Sequence, residues 1–328
     1  MNLWLHRFTV LVTGATFILI VAGALVTSNG AGLAAPDWPL SYGQVFPRMV
    51  GNLFYEHGHR MIATTVGLLT IALNIWLWKS EPRRWVRRLG LAALGTVIAQ
   101  GLLGGLTVLL LLPLPVSTAH ACLAQLFFCL MVSLSVFTQP GWSERRRIGE
   151  DDGHPRLRSL CGAAAACVFL QLVLGATLRH SAAWDEHLPT GLLIAHIAGA
   201  GLVTLVLGGM TGAVASRYRG EAYLTRPAAL IAALLILQLC LGLLAYLTRR
   251  VSPDDPQPLN PMVSITVAHV ACGALILATT IVLSLRAARV LKSVQPSAFS
   301  FQRFEISNDR FEISKRESEI SERLTAES

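Results

Sequence analysis

The sequence predicts an all-α integral membrane protein whose eight transmembrane helices form two tandem, pseudo-symmetric four-helix bundles. Three observations lead there. Apolar residues make up 53% of the 328 positions, charged residues only 14%, and the mean hydropathy is +0.55. A soluble domain cannot hide that much apolar surface. Eight segments each supply the roughly 20 mainly apolar residues needed to cross a hydrocarbon core about 30 Å thick. Finally, polar landmarks in the first half of the chain recur once in the second.

The spans are expected near 8–28, 53–78, 89–112, 116–138, 159–178, 190–215, 228–248 and 262–285. The first apolar run is too long for a signal peptide and is followed by further spans, so it reads as a retained helix. Lys and Arg gather in the connections 79–88, 139–158 and 217–226. Connections 29–52, 113–115, 179–189 and 249–261 are poor in them and hold Asp37, Asp185, Glu186, Asp254 and Asp255. Positive charge marks the cytoplasmic side, which places both termini in the cytoplasm. The net charge of +8 then reflects topology and implies no nucleic-acid partner.

Six cysteines, Cys122, Cys129, Cys161, Cys167, Cys240 and Cys272, fall in or at the ends of apolar spans. None lies in an outer loop to form a disulfide, and their spacing matches no zinc site. They read as small apolar packing residues. Beyond the last span, residues 295–328 turn polar. There Arg303-Phe304-Glu305-Ile306-Ser307 returns as Arg310-Phe311-Glu312-Ile313-Ser314, with Phe and Ile two apart and no coiled-coil seam. This tail is expected to be disordered.

The internal repeat has an offset of roughly 140 to 150 residues. Gly23-Ala24 answers to Gly175-Ala176, His59 to His196, and Gln100 through Gly104 to Gln238 through Gly242. The closest match sets Val116-Ser117 and Ala119-His120-Ala121-Cys122 against Val263-Ser264 and Ala268-His269-Val270-Ala271-Cys272. Four helices per half keep the repeats parallel. The divisions expected are 1–140, 141–290 and a tail 291–328.

Ionisable residues inside a membrane are expensive and usually functional, which singles out His59, His120, His196 and His269. Each falls in the first turns of a helix entering from the outer face, so all four share a depth. Two histidines on different helices of one bundle can bind a metal from opposite sides, as a haem with two axial imidazoles requires, and an apolar interhelical cleft suits a porphyrin. The alternative for a single membrane histidine is a packed side chain bonded to a neighbouring helix. No thiolate or carboxylate accompanies the second pair, which favours haem over copper or zinc. His154 and His187 read as solvated loop residues. His180, next to Arg179, reads either as a partner for haem propionates or as an interfacial side chain. His57 points roughly 160° away from His59 around the helix.

The halves differ at Glu56. It precedes His59 by three residues, so the two project from one helix face with β-carbons about 5–6 Å apart. A carboxylate beside a haem can move protons. Alternatively, Glu56 merely pairs with Arg60 one turn on. The second half has the histidines alone, which implies one centre that relays electrons and one where chemistry occurs.

The run Gly23-Ala24-Leu25-Val26-Thr27-Ser28, then Ala31-Gly32-Leu33, Pro36-Asp37-Trp38-Pro39 and Glu56-His57-Gly58-His59-Arg60 resembles the haem A synthase family. The likeness spans about residues 5–290. It implies an enzyme that oxidises a ring methyl of haem O to a formyl group, giving haem A for terminal oxidases. By resemblance, His59 and His120 hold the substrate haem, Glu56 assists the oxidation, and His196 and His269 bind a haem b cofactor. The same likeness implies a haem O synthase (protohaem farnesyltransferase) as supplier, an electron donor of unspecified identity and a homo-oligomer as a possible assembly. Many members carry a cysteine pair in an outer loop, and the loops 29–52 and 179–189 have none. The competing class is a non-catalytic membrane dihaem b-type cytochrome or haem carrier, which needs the histidines but has no evident use for Glu56.

Overall fold

The computed structural model describes residues 2–145, 147–181, 189–250 and 260–292. Within them lie eight helices long and apolar enough to cross a membrane: α1 (Leu3–Ser28), α2 (Asn52–Ser80), α3 (Arg84–Leu109), α4 (Leu114–Thr138), α5 (Leu157–Ser181), α6 (Thr190–Arg217), α7 (Ala222–Arg250) and α8 (Asn260–Val290). The eight expected spans are therefore all present. The tail from 295, and with it Asp185, Glu186, His187, Asp254 and Asp255, lies outside the described residues.

Helix ends depart from expectation where local chemistry overrides hydropathy. Several helices run past their apolar segments because backbone hydrogen bonding continues into the headgroup layer, where basic side chains reach water. Asn2 starts α1 by accepting hydrogen bonds from the amides of Trp4 and Leu5 at 3.0 and 3.3 Å. Helix α3 stops early, at Leu109, because Leu111 and Leu112 take left-handed φ values of 58° and 57°. The Leu112 amide donates to the Thr107 carbonyl at 2.6 Å, and the chain reverses at once into α4. Pro227 lies inside α7, and its missing N–H leaves the Tyr223 carbonyl without a helical partner. Arg286 of α8 donates to that carbonyl at 3.1 Å.

The first four helices pack in a ring, α1 on α2, α2 on α3, α3 on α4 and α4 back on α1. The second four do the same, α5 on α6, α6 on α7, α7 on α8 and α8 back on α5. Contacts of α1 with α8 and of α4 with α5 and α8 join the rings. The seam holds Ile20, Phe128, Val132, Ala274 and Ala278, with Phe17 and Val270 at its edge. This makes α4 and α8 the most buried helices, while α6 and α7 turn most of their surface outward, toward lipid.

On the side of the basic loops, the strand β1 (Gly149–Glu150) pairs in parallel with β2 (Leu291–Lys292). Residues 291 and 292, expected in the tail, thus belong to the folded body, because residues 149 and 150 satisfy their backbone groups. Buried Asp151 then caps α5 from a distance, accepting from the Leu157 and Arg158 amides at 2.8 and 2.9 Å.

Candidate functional site

Each of the four helical hairpins sets a histidine against a glycine. His59 on α2 faces Gly23 on α1, His120 on α4 faces Gly104 on α3, His196 on α6 faces Gly175 on α5, and His269 on α8 faces Gly242 on α7. A Cβ built on these glycines would lie 3.0–3.1 Å from the histidine Cε1 in every case. The absent side chain is therefore what lets each imidazole lie against the neighbouring backbone. All four histidines fall within the first three turns of their helices, at matching depth.

Three of the four hairpins add a glutamine one turn before the glycine. Gln100 Nε2 donates to the His120 carbonyl at 2.9 Å and lies 3.4 Å from His120 Nε2. Gln171 Nε2 donates to the His196 carbonyl at 2.8 Å and lies 3.1 Å from His196 Nδ1. Gln238 Nε2 lies 3.2 Å from His269 Nε2. In the first hairpin the equivalent position is Leu19, which packs among apolar neighbours. No hydrogen bond reaches the His59 ring among the described residues, and its Nδ1 is buried without a partner.

The His196 and His269 rings stand 6.4 Å apart, centre to centre, at 68°. Two imidazoles bound through nitrogens about 2 Å from one shared metal would have ring centres roughly 6 Å apart. His59 and His120 lie within electrostatic range of each other across the first ring of helices. The described residues contain no group of three or more His, Cys, Asp and Glu able to enclose an ion. Paired histidines suit a metal whose remaining donors come from a macrocycle better than a bare ion, which wants three or four protein ligands. Buried, unpartnered Nδ1 atoms on His59, His120 and His269 mark the same places, since a buried polar atom without a partner is unfavourable.

Above the first ring, the connection 29–51 folds into a cap. Asp37 accepts from the Tyr42 and Gly43 amides at 2.7 and 2.8 Å, and the Tyr42 hydroxyl donates to the Ala34 carbonyl at 2.7 Å. The bond from the Gly43 amide is the largest influence holding the Asp37 carboxyl below its ordinary pKa. The Trp38 indole lies on Gly105 of α3, where a Cβ would come within 2.7 Å of the ring.

Glu56, 4% exposed, fastens this cap to α2. Its Oε2 accepts from the Ala35 amide at 2.8 Å, and its Oε1 pairs with Arg60. Arg60 also donates to the Asp37 and Leu40 carbonyls at 2.9 and 2.6 Å and to Ser41 Oγ at 3.2 Å. The Arg60 pairing weighed from the sequence is thus present, and both carboxylate oxygens are engaged. His57 faces the cap, its Nδ1 2.9 Å from Ser41 Oγ, and so points away from the His59 site. His154 is exposed. Arg179, beside His180 at the end of α5, reaches across to the Ala24 carbonyl and Ser28 hydroxyl of α1. The six cysteines are all free.

Sequence reasoning paired Gly23 with Gly175 and Gln100 with Gln238 but overlooked Gln171. The legible signal was a glutamine four residues before a glycine in each of α3, α5 and α7.

Residues 48–188 match the family model for the cytochrome oxidase assembly protein. That segment holds Glu56, His59 and His120. A haem A synthase of Symbiobacterium thermophilum is 30% identical over 218 residues, which cover 60% of this chain and 71% of that protein. The chain belongs to the haem A synthase family. A haem A synthase of Bacillus licheniformis is 31% identical over 141 residues, and one of Alkalihalophilus pseudofirmus is 36% identical over 103. The chain spans 47% and 35% of the length of those two relatives. Its eight long apolar helices make this chain a multi-pass membrane protein.

Proposed function

We propose that this chain is an oxidoreductase that converts the ring methyl of haem O to the formyl group of haem A for terminal oxidases. The observation that supports this most is the recurrence of one glycine-histidine contact in all four hairpins, with His196 and His269 spaced as two ligands of a single metal. His196 and His269 hold a haem b cofactor, and His59 and His120 hold the substrate haem. Bound haem supplies the one-electron and oxygen chemistry that no amino-acid side chain provides. The division at residue 140 separates the two centres.

The protein's own residues bind, orient and shield. The glycines of the odd-numbered helices let each imidazole lie close to the backbone, and the glutamines fix three of the four rings. Glu56, Arg60 and the cap close the outer end of the first centre and limit water there. Glu56, held by the Ala35 amide and by Arg60, serves as the catalytic proton-handling group. A substrate with an apolar isoprenoid tail can approach through the bilayer that surrounds the helices, so it need not cross water. A haem O synthase supplies that substrate, an external donor supplies electrons, and the lipid-facing helices leave room for a homo-oligomer.

The reduced pyridine-haem spectrum of protein purified from cells co-expressing a haem O synthase tests this reading. Haem b together with haem O or haem A is expected. Haem b alone would assign the chain to the dihaem cytochromes.

The orientation proposed puts both termini and the basic loops in the cytoplasm of a cell whose inner membrane holds the protein. In a background lacking the native cysteines, Phe46→Cys should react with an impermeant thiol reagent in intact cells, and Arg219→Cys only after lysis. The reverse pattern would invert the topology.

A further inference from the structure

Four hairpins present four histidines in one way, and one of them lacks an element that the other three share. Gln100, Gln171 and Gln238 each place an amide beside the ring they face, and two of them also grip that histidine's backbone carbonyl. A ring held this way has its rotation about the Cβ–Cγ bond restricted, so the imidazole stays aimed in one direction. In α1 the position one turn before Gly23 is Leu19. An apolar side chain offers His59 contact but no directional bond. Gly23 still opens space for the ring, as at the other three sites.

Resting on the reading of these histidines as haem ligands, we propose that His59 is the one ligand built to let go, so that the first centre presents its open coordination position on the His59 side while His120 stays fixed. The neighbourhood agrees with that assignment. Glu56 lies one turn from His59 on the same helix, and Arg60 follows it directly. The cap they fasten reaches from Glu56 on α2 to Gly105 on α3. A vacated His59 position thus opens toward the ionisable groups of the first half. In the second half both histidines are tethered by glutamine, which suits a centre that keeps its two ligands throughout.

The test uses haem-loaded, full-length protein, reduced with dithionite and mixed with carbon monoxide, which enters only where an axial ligand leaves. In the parent, carbon monoxide should bind the first centre and spare the second. Leu19→Gln supplies the missing tether and should slow or reduce that binding by roughly two- to tenfold, the effect of one net hydrogen bond. As a second variant that does not depend on fitting a larger polar group into α1, His59→Ala should retain carbon monoxide binding at the first centre, and His120→Ala should lose the haem there. Equal carbon monoxide binding in Leu19→Gln and the parent, with haem content unchanged, would overturn the proposal and leave the haem reading standing. So would retention in His120→Ala with loss in His59→Ala, which would make His120 the labile ligand. A parent protein that purifies from haem-replete cells without any haem would overturn both.

Discussion

Replacing His196 or His269 with alanine should remove haem b from the purified protein and abolish conversion of haem O. The two rings stand 6.4 Å apart, each backed by a glycine and tethered by a glutamine. No third histidine, cysteine or carboxylate joins them to form a metal-binding group among the described residues. Loss of a mere outer-shell partner commonly lowers metal affinity by about 10–100-fold, so loss of the ligand itself should exceed that. The graded comparison is Gln171→Leu or Gln238→Leu, where haem should persist with weaker retention. The measurement is haem b per protein by pyridine spectrum, with extracted haems separated by chromatography. Normal haem b in both histidine variants would remove the second pair from the cofactor site. If haem b instead follows His59 and His120, the two halves have been assigned in the wrong order.

A comparable loss is expected from Arg60→Met, by a different route. That substitution leaves the Glu56 carboxylate buried with only the Ala35 amide, and removing one partner of a buried ion pair costs about 3–5 kcal/mol. It also frees the Asp37 and Leu40 carbonyls and Ser41, so the cap should loosen. Proteolysis at Arg48 should accelerate and haem A production should fall. The double variant Glu56→Gln with Arg60→Met should recover part of the stability, because it buries no unpaired charge. Glu56→Gln alone separates two roles for this residue. Intact resistance at Arg48 with haem O accumulating, or oxidation stopping at an intermediate level, marks a proton-handling group. Parallel loss of resistance and activity marks a positioning residue, and normal haem A production would remove Glu56 from the reaction altogether.

The eight helices were legible in sequence because a membrane imposes one dominant rule, a long apolar run with its backbone satisfied internally. Their ends were less so. The early stop of α3 depends on two leucines in left-handed conformations, which hydropathy does not register, and the β1–β2 pairing depends on two residues each. The histidines stood out because membrane helices otherwise avoid them. Gln171 escaped notice because a polar but uncharged residue among apolar neighbours looks unremarkable until the ring it serves is located. The engagement of Glu56 by Ala35 joins residues 21 positions apart across a connecting segment with no regular structure, and no periodicity encodes such a contact.

The cap over the first ring contains no cysteine. This chain closes residues 34–44 through Asp37, Tyr42, Glu56 and Arg60. Its order therefore owes nothing to the thiol poise of the surrounding compartment, and neither a dithiol reductant nor an oxidase of protein thiols has a bond there to act upon. The sensitivity is transferred to acid. Folding depresses the Asp37 carboxyl below its ordinary value of 3.8, chiefly through the Gly43 amide. Its contribution is complete above that value and disappears as the pH falls through the lower, folded one. A cap fastened in this way can assemble before, or entirely without, any oxidative folding machinery.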